Sequence, residues 1–302
     1  MRTSSLVGHV VEILDAVRAD RRPADAVVRE FFRARHYLGA SDRRYIAERT
    51  FDILRHHSLL TLYGTEAFTA LKAPVNPART PSIALAAAYE LRCGPGMGDP
   101  LADFSGLWRM FVPDVDCGAY LDAVRRAEIP EAVRADPERL LSLQHSIPLF
   151  LLRDWLTRFG HDETLLLCQS MNGPAPVTIR VNTLKCSVEE CRIALEKEGI
   201  TGRPTLLSHA GLTLAKRINA QGIQPFKQGW FEMQDEGSQL LSLLASVRPG
   251  MTVIDACAGG GGKSLHLAAL MENRGTVIAV DVDRAKLTNF EERSRRAGVT
   301  IA

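Results

Sequence analysis

Apolar residues recur at helical spacing through the first sixty positions: Leu6, Val10, Ile13, Leu14 and Val17, then Ala26, Val27 and Phe31, then Tyr45, Ile46, Phe51, Ile53 and Leu54. Recurrence at i, i+3 and i+4 gives each segment one buried helical face. Breaks at Arg22-Pro23 and at Gly39 separate the segments. The same period returns at 83–91 and 120–127, on either side of Cys93-Gly94-Pro95-Gly96-Met97-Gly98-Asp99-Pro100, whose glycines and prolines stop a helix. Residues 1–140 therefore read as one all-α domain. Two further helices are predicted around 149–159 and 162–170, ended by Asn172-Gly173-Pro174.

The period then changes. Val177-Thr178-Ile179-Arg180-Val181-Asn182 alternates as a strand does, a helix over 187–197 stops at Gly199, and Leu212-Thr213-Leu214 and Trp230-Phe231-Glu232 read as short strands. With the helices from 145 onward, residues 145–234 make a helical linker and a small α+β subdomain. From 235 to 302 the pattern is that of a doubly wound α/β domain. A helix runs from Asp235 to Val247, a strand covers 251–256, a glycine turn leads to a helix at 264–272, and a second strand at 276–280 ends beside Asp281. A charged helix over 283–297 leads to Val299-Thr300-Ile301, the first residues of a third strand. Only 38 residues follow Ser264, fewer than an open α/β sheet needs to complete itself. The α/β domain is thus expected to be C-terminally cut short, with an unpaired strand edge and exposed apolar helix faces that favour self-association.

Composition narrows the class without deciding it. The chain has 302 residues, 46% of them hydrophobic, enough for two or three domains with their own cores. Its longest uncharged apolar runs, such as 83–89, fall far below the ~20 residues of a membrane span. No leader or anchor is visible, which makes the cytoplasm the expected compartment. The six cysteines, at 93, 117, 168, 186, 191 and 257, form no C-x-x-C pair and no zinc set, and are expected to be free thiols with no metal. A net charge of +2 says little. The first 50 residues, however, hold ten Arg and no Lys, with Arg33, Arg35, Arg43 and Arg44 close together. They form either a face for phosphates or an ordinary solvated helix surface.

The chemistry concentrates at Asp255-Ala256-Cys257-Ala258-Gly259-Gly260-Gly261-Gly262-Lys263-Ser264. A strand, then a small-residue turn, then a helix is where α/β proteins seat a nucleoside or phosphate. Spacing removes two common readings. A Walker loop needs glycine at Cys257, and the dinucleotide pattern begun at Gly259 needs glycine at Ser264. What remains suits a nucleoside with a charged amino-acid tail: close backbone approach at the glycines, a helix N-terminus and Lys263 for a carboxylate, and Asp281 for ribose hydroxyls. S-adenosylmethionine is such a molecule.

This turn resembles the D-x-C-A-A-P-G-G-K-T cofactor loop of the Nol/Nop/Sun family of RNA cytosine-5 methyltransferases, notably the type acting on bacterial 16S ribosomal RNA. Ile179-Arg180-Val181-Asn182-Thr183-Leu184-Lys185 is similar to the family's R-V-N-T-L-K strand, and Gln234-Asp235-Glu236-Gly237-Ser238-Gln239-Leu240 to its Q-D-E-A-S helix start. Residues 42–55, with Asp42-Arg43 and Leu54-Arg55, are similar to a helix of the NusB-like RNA-binding domain of the bacterial enzymes. The resemblance implies a NusB-like all-α domain at 1–140 and a Rossmann-like, S-adenosylmethionine-binding domain at 235–302. It also implies cofactor contacts from Cys257, Ala258, Gly259, Gly260, Gly261, Gly262, Lys263 and Asp281, with ribosomal RNA as partner. Where the family often has Ala-Pro, this chain has Gly259-Gly260, which keeps clearance and gives up the rigidity of proline.

Cytosine carbon 5 is a poor nucleophile, so such enzymes add a cysteine thiolate to carbon 6 before methyl transfer. The resemblance puts those cysteines in Pro-Cys and Thr-Cys pairs, and neither dipeptide occurs here. No catalytic residue is therefore assigned in this chain. Cys257 reads as a small packed thiol within the turn and the other five cysteines as buried structural thiols. His56-His57 reads as solvent-facing or capping. Trp155, Trp230 and Phe231 read as core in preference to base-stacking platforms. Arg180 and Asn182 are expected to share a polar strand face open to RNA. The leading reading is an RNA cytosine-5 methyltransferase whose present chain is inactive; the alternative is a non-catalytic RNA-binding protein with a vestigial donor site. A dinucleotide oxidoreductase is disfavoured by the glycine spacing.

Overall fold

The computed structural model describes residues 3–73, 80–95 and 99–302. Gly96, Met97 and Gly98, from the predicted loop at 93–100, lie outside them. The chain divides into two compact units, Met1–Gly173 and Pro174–Ala302.

The first unit is helical: α1 (Thr3–Ala19), α2 (Ala24–Arg33), α3 (Ala40–Arg55), α4 (His57–Ala70), α5 (Ser82–Arg92), α6 (Pro100–Phe111), α7 (Cys117–Arg126), α8 (Glu131–Arg134), α9 (Pro137–His145) and α10 (Leu149–Asn172). Its axis is α5, buried from Ser82 through Glu90. A helix apolar on every side must be surrounded, and the small side chains Ala84, Ala86, Ala87 and Ala88 let its neighbours approach. Tyr120 of α7 crosses it, donating its hydroxyl to the Ala84 carbonyl at 3.0 Å. The Tyr120 ring lies 4.6 Å from Trp108 and 4.8 Å from Phe68, centroid to centroid. The breaks predicted near Pro23 and Gly39 fall between helices, and Gly160, with φ 76°, breaks α10 into the two expected segments. Helices α6, α8 and α9 are additions to the sequence reading. Helices α6 and α9 each begin with an aspartate cap followed by proline, Asp99-Pro100 and Asp136-Pro137, the arrangement that satisfies first-turn amides while losing none.

The second unit opens with a four-stranded antiparallel sheet of order β2-β3-β1-β4, from β1 (Val177–Val181), β2 (Gly202–Pro204), β3 (Gly211–Leu214) and β4 (Phe231–Met233). Helix α11 (Val188–Lys197) starts in a capping box between Ser187 and Glu190. It closes one sheet face, where Ile179, Val181, Leu212 and Phe231 pack with Cys191 and Leu195. After α12 (Gln224–Lys227) and α13 (Glu236–Leu244) comes the parallel pair β5 (Thr252–Asp255) and β6 (Thr276–Ala279), joined by α14 (Gly262–Leu270) and followed by α15 (Arg284–Ala297). Val253, Val277 and Ala279 face a core with Leu265, Ala268 and Phe290. Strand alternation sends Ile254 and Ile278 to the opposite face, where they stay exposed, Ile254 by 65%. Leu241 and Leu244 of α13 are exposed as well. Ile301 contributes one ladder bond, its carbonyl accepting from the Val277 amide at 2.6 Å. Among the described residues no helix is long and apolar enough to cross a membrane.

Candidate functional site

The glycine turn lies between β5 and α14, as its sequence requires. Asp255 ends β5 and accepts a hydrogen bond from the Ser264 hydroxyl at 2.6 Å, joining the two ends of the turn. Asp281, just beyond β6, braces the middle: one carboxylate oxygen accepts from the Gly259 amide at 2.8 Å and the other from the Asp283 amide at 2.8 Å. Those two amides, Asp283 first, hold its carboxyl below the usual carboxylate range. Gly261 has φ 80°, and a Cβ there would stand 1.9 Å from Phe290 Cδ2. Glycine is thus required twice over, by its left-handed backbone and by the close approach of the ring.

The turn's polar groups divide into those with a partner and those without. The Gly262 carbonyl accepts from Arg180 Nη1 at 2.6 Å and the Gly260 carbonyl from Arg293 Nη1. The Gly261 amide is used by the Ala258 carbonyl at 2.8 Å, and the Ala258 amide by the Val280 carbonyl at 2.9 Å. The amides of Gly260, Gly262, Lys263 and Ser264 have no partner among the described residues. Ser264 is wholly buried, so the carbonyls tied by arginines and the free amides of Gly260, Gly262 and Lys263 make a short cradle for an anion, reinforced by the helix N-terminus. Ala258 and Gly261 are buried, Gly259, Gly260, Gly262 and Asp281 half-buried, and Cys257 and Lys263 exposed.

A charged layer supports the cradle. Glu232 of β4, nearly inaccessible, is paired with Arg293 at 2.9 Å and with Arg296, both from α15. Arg180 also donates to Gln234 Oε1. Burial pushes the Arg180 guanidinium down to about 10, with Glu232 opposing that shift and Arg293 adding to it. His266 of α14 is buried with Nδ1 unpartnered. Burial, then the charge of Arg180, then His209, push its imidazole from 6.5 down to about 3. An unfolded histidine would take up a proton over that interval and the folded one would not. The stability this gives is complete above pH 6.5 and lost as pH falls toward 3, by at most about 1.4 kcal/mol per pH unit. Denaturant midpoints at pH 7, 5.5 and 4.5 are expected to fall less steeply in His266→Leu than in the wild type. Parallel curves would contradict this assignment.

Several expectations need correction. Arg180 and Asn182 are not open to RNA: both are buried, and Asn182 Nδ2 donates to the Gly229 and Ala297 carbonyls at 2.8 Å each. Alternation correctly put them on the polar face of β1, but the glycine turn and α15 cover that face. Cys257 is exposed, not packed, because the backbone turns inward only at Ala258. Cys117, Cys168, Cys186 and Cys191 are buried free thiols, and Cys93 is half-buried. Burial raises the thiols of Cys93, Cys168 and Cys117, the last to about 11. His56 and His57 are half-buried and not solvent-facing; His56 stands at the cap position between α3 and α4, the other expected role, without a side-chain cap bond. Phe231 is core, and Trp155 and Trp230 pack against core clusters. Of the four clustered arginines, Arg35 pairs with Glu12 over the Phe31 ring and Arg43 donates to the Leu38 carbonyl at 2.8 Å, while Arg33 and Arg44 stay exposed. Among the described residues no group of three or more His, Cys, Asp or Glu is placed to hold a metal ion.

Residues 147–221 match the RsmF/B-like methyltransferase ferredoxin-like domain, and residues 242–302, which contain the turn, match the 16S rRNA methyltransferase RsmB/F. These two segments are thus similar to the RsmB/F methyltransferase family. The probable ribosomal RNA small subunit methyltransferase B of Bacillus subtilis is 33% identical over 183 residues, 60% of this chain and 40% of that protein. Its Synechocystis namesake is 27% identical over 280 residues, 88% of this chain and 61% of that protein. The human 28S rRNA (cytosine(4447)-C(5))-methyltransferase is 28% identical over 188 residues, 61% of this chain and 23% of that protein. The chain thus spans less than two thirds of each of these relatives. The crystal structure of PH0851 shares the fold, with a TM-score of 0.73 at 22% identity, over 100% of this chain and 68% of that one.

Proposed function

We propose that the turn from Cys257 to Lys263, with Asp281, is the S-adenosylmethionine site of an RNA cytosine-5 methyltransferase, and that these 302 residues hold the donor without transferring its methyl group. The observation that carries this reading is the set of free amides at Gly260, Gly262 and Lys263 beside carbonyls tied down by arginines. Such a cradle fits the carboxylate of an amino-acid tail, with Lys263 beside it. Asp281 gives each carboxylate oxygen to one amide, and a carboxylate oxygen has a second acceptor site for a ribose hydroxyl. Gly259 and Gly260 leave the backbone open to close approach. The bound donor would supply an electrophilic methyl group.

Cytosine-5 chemistry is supported by the names of relatives and by the resemblance of the turn. It needs a thiolate nucleophile, and no cysteine here stands in a Pro-Cys or Thr-Cys pair. The exposed Cys257 belongs to the donor's turn. RNA is the proposed partner, ribosomal in the relatives' names. Exposed Arg33 and Arg44 of the helical unit, and Lys227 and Arg295 at a groove of about 590 Å³, offer it cationic contacts. The proposed layout is a NusB-like RNA-binding domain at 1–140, a linker and α+β subdomain at 145–234, and the Rossmann-like donor site at 235–302.

Calorimetric titration is expected to show binding of S-adenosylhomocysteine and none of ATP or a nicotinamide dinucleotide. Incubation with tritiated S-adenosylmethionine and small-subunit ribosomal RNA is expected to transfer no label. Preference for either nucleotide would sink the donor assignment, and label transfer would sink the inactivity of this chain.

A further inference from the structure

We propose that Arg180 and Arg293 are positioning residues of the donor site: they fix two carbonyls of the glycine turn and so hold its free amides in place for the carboxylate of the ligand's amino-acid tail. This rests on the reading of the turn given above. A run of four glycines has no side chain with which to hold a shape, and its unfolded form is unusually free. Here the constraint comes from outside the run. Arg180 Nη1 binds the Gly262 carbonyl at 2.6 Å, and Arg293 Nη1 binds the Gly260 carbonyl. A Cβ at Gly260 would stand 2.9 Å from Arg293 Nη1, so the guanidinium occupies the space beside the turn where a larger residue would sit.

Neither arginine is free to wander. Arg293 is held by Glu232 through Nη2 at 2.9 Å and Nε at 3.2 Å. Arg180 is almost wholly buried, is bonded to Gln234, and keeps an unpartnered Nε. A buried guanidinium with an unmet donor is costly, and the bond to the Gly262 carbonyl is what its position achieves. The two cations outweigh the single carboxylate of Glu232, which also faces Arg296. The layer beneath the cradle is therefore net positive. That charge favours a ligand carboxylate above it, and an uncharged ligand gains little from it.

The test is the affinity of Arg293→Gln, Arg293→Lys and Arg180→Lys for two ligands: S-adenosylhomocysteine, which carries the amino-acid carboxylate, and methylthioadenosine, which lacks it. Arg293 is partly exposed, so its variants are expected to fold, and thermal unfolding checks each protein before titration. Folded Arg293→Gln is expected to lose about tenfold or more in affinity for S-adenosylhomocysteine and less than about threefold for methylthioadenosine. Arg293→Lys is expected to fall between Gln and wild type. Equal losses for both ligands, or none, in a folded variant would overturn the positioning role. Failure of the wild type to bind either ligand would instead overturn the donor assignment itself.

Discussion

Gly261→Ala is expected to lower stability by about 3 kcal/mol and to abolish ligand binding at the turn. The left-handed backbone costs a residue with a Cβ about 1–2 kcal/mol, and forcing a methyl into packed space adds about 1–3 kcal/mol. Both apply here. The residue has φ 80°, and the new Cβ would fall 1.9 Å from Phe290, a buried ring on α15 locked among Leu265, Ala268 and Val299. Relief requires the turn or α15 to shift, and either movement breaks the Arg293 bond to the Gly260 carbonyl. Gly259→Ala is the control: its φ is also positive, 55°, but nothing lies within 4 Å of its Cβ. About 1–2 kcal/mol is expected there. Chemical denaturation and ligand titration of the two variants would separate strain from collision. Equal effects at both positions would contradict the packing assigned to Phe290.

Glu232→Ala is expected to cost about 3–5 kcal/mol, because it leaves a buried cluster of cations without its counter-ion. The carboxylate is 4% exposed and faces Arg293 and Arg296, with Arg180 close enough to feel its charge. An exposed pair of the same composition, such as Arg29 with Asp25 on α2, would contribute well under about 1 kcal/mol. Glu232→Gln keeps the shape and part of the hydrogen bonding, so it is expected to lose less. The measurement is the denaturant midpoint of both variants at pH 7. A Glu232→Ala protein as stable as wild type would show that the layer beneath the turn is wet and loose.

Much of this was visible in the residue pattern, and the misses have identifiable causes. Helices α1 to α3 and α5, the strands β1, β3 and β4 and the β5-turn-α14-β6 unit follow from periods of 3.6 and 2. Helix α6 carries the same period through Leu101, Phe104, Leu107 and Trp108. It was hidden by the glycines just before it, although Asp99-Pro100 marks a helix start. Strand β2 consists of Gly202, Arg203 and Pro204, an edge made of residues that strands usually avoid. At the site, glycine spacing singled out the turn but could not show what holds it. Arg180 was assigned to the correct face of β1, yet alternation does not say whether a face meets solvent or another element. Arg293 and Arg296 are two of the many charges on the helix read at 283–297. Only the fold brings them to Glu232, which is 61 residues from Arg293 in sequence.

The central claim is that the free amides beside the arginine-tied carbonyls receive the amino-acid end of the methyl donor. The most direct measurement is the amide proton–nitrogen spectrum of the labelled protein during titration with S-adenosylhomocysteine. The account predicts saturable shifts at Gly260, Gly262 and Lys263, with a smaller change at Gly259, whose amide is already held by Asp281. Binding that leaves those three amides unmoved, or shifts confined to the helical unit, would contradict it.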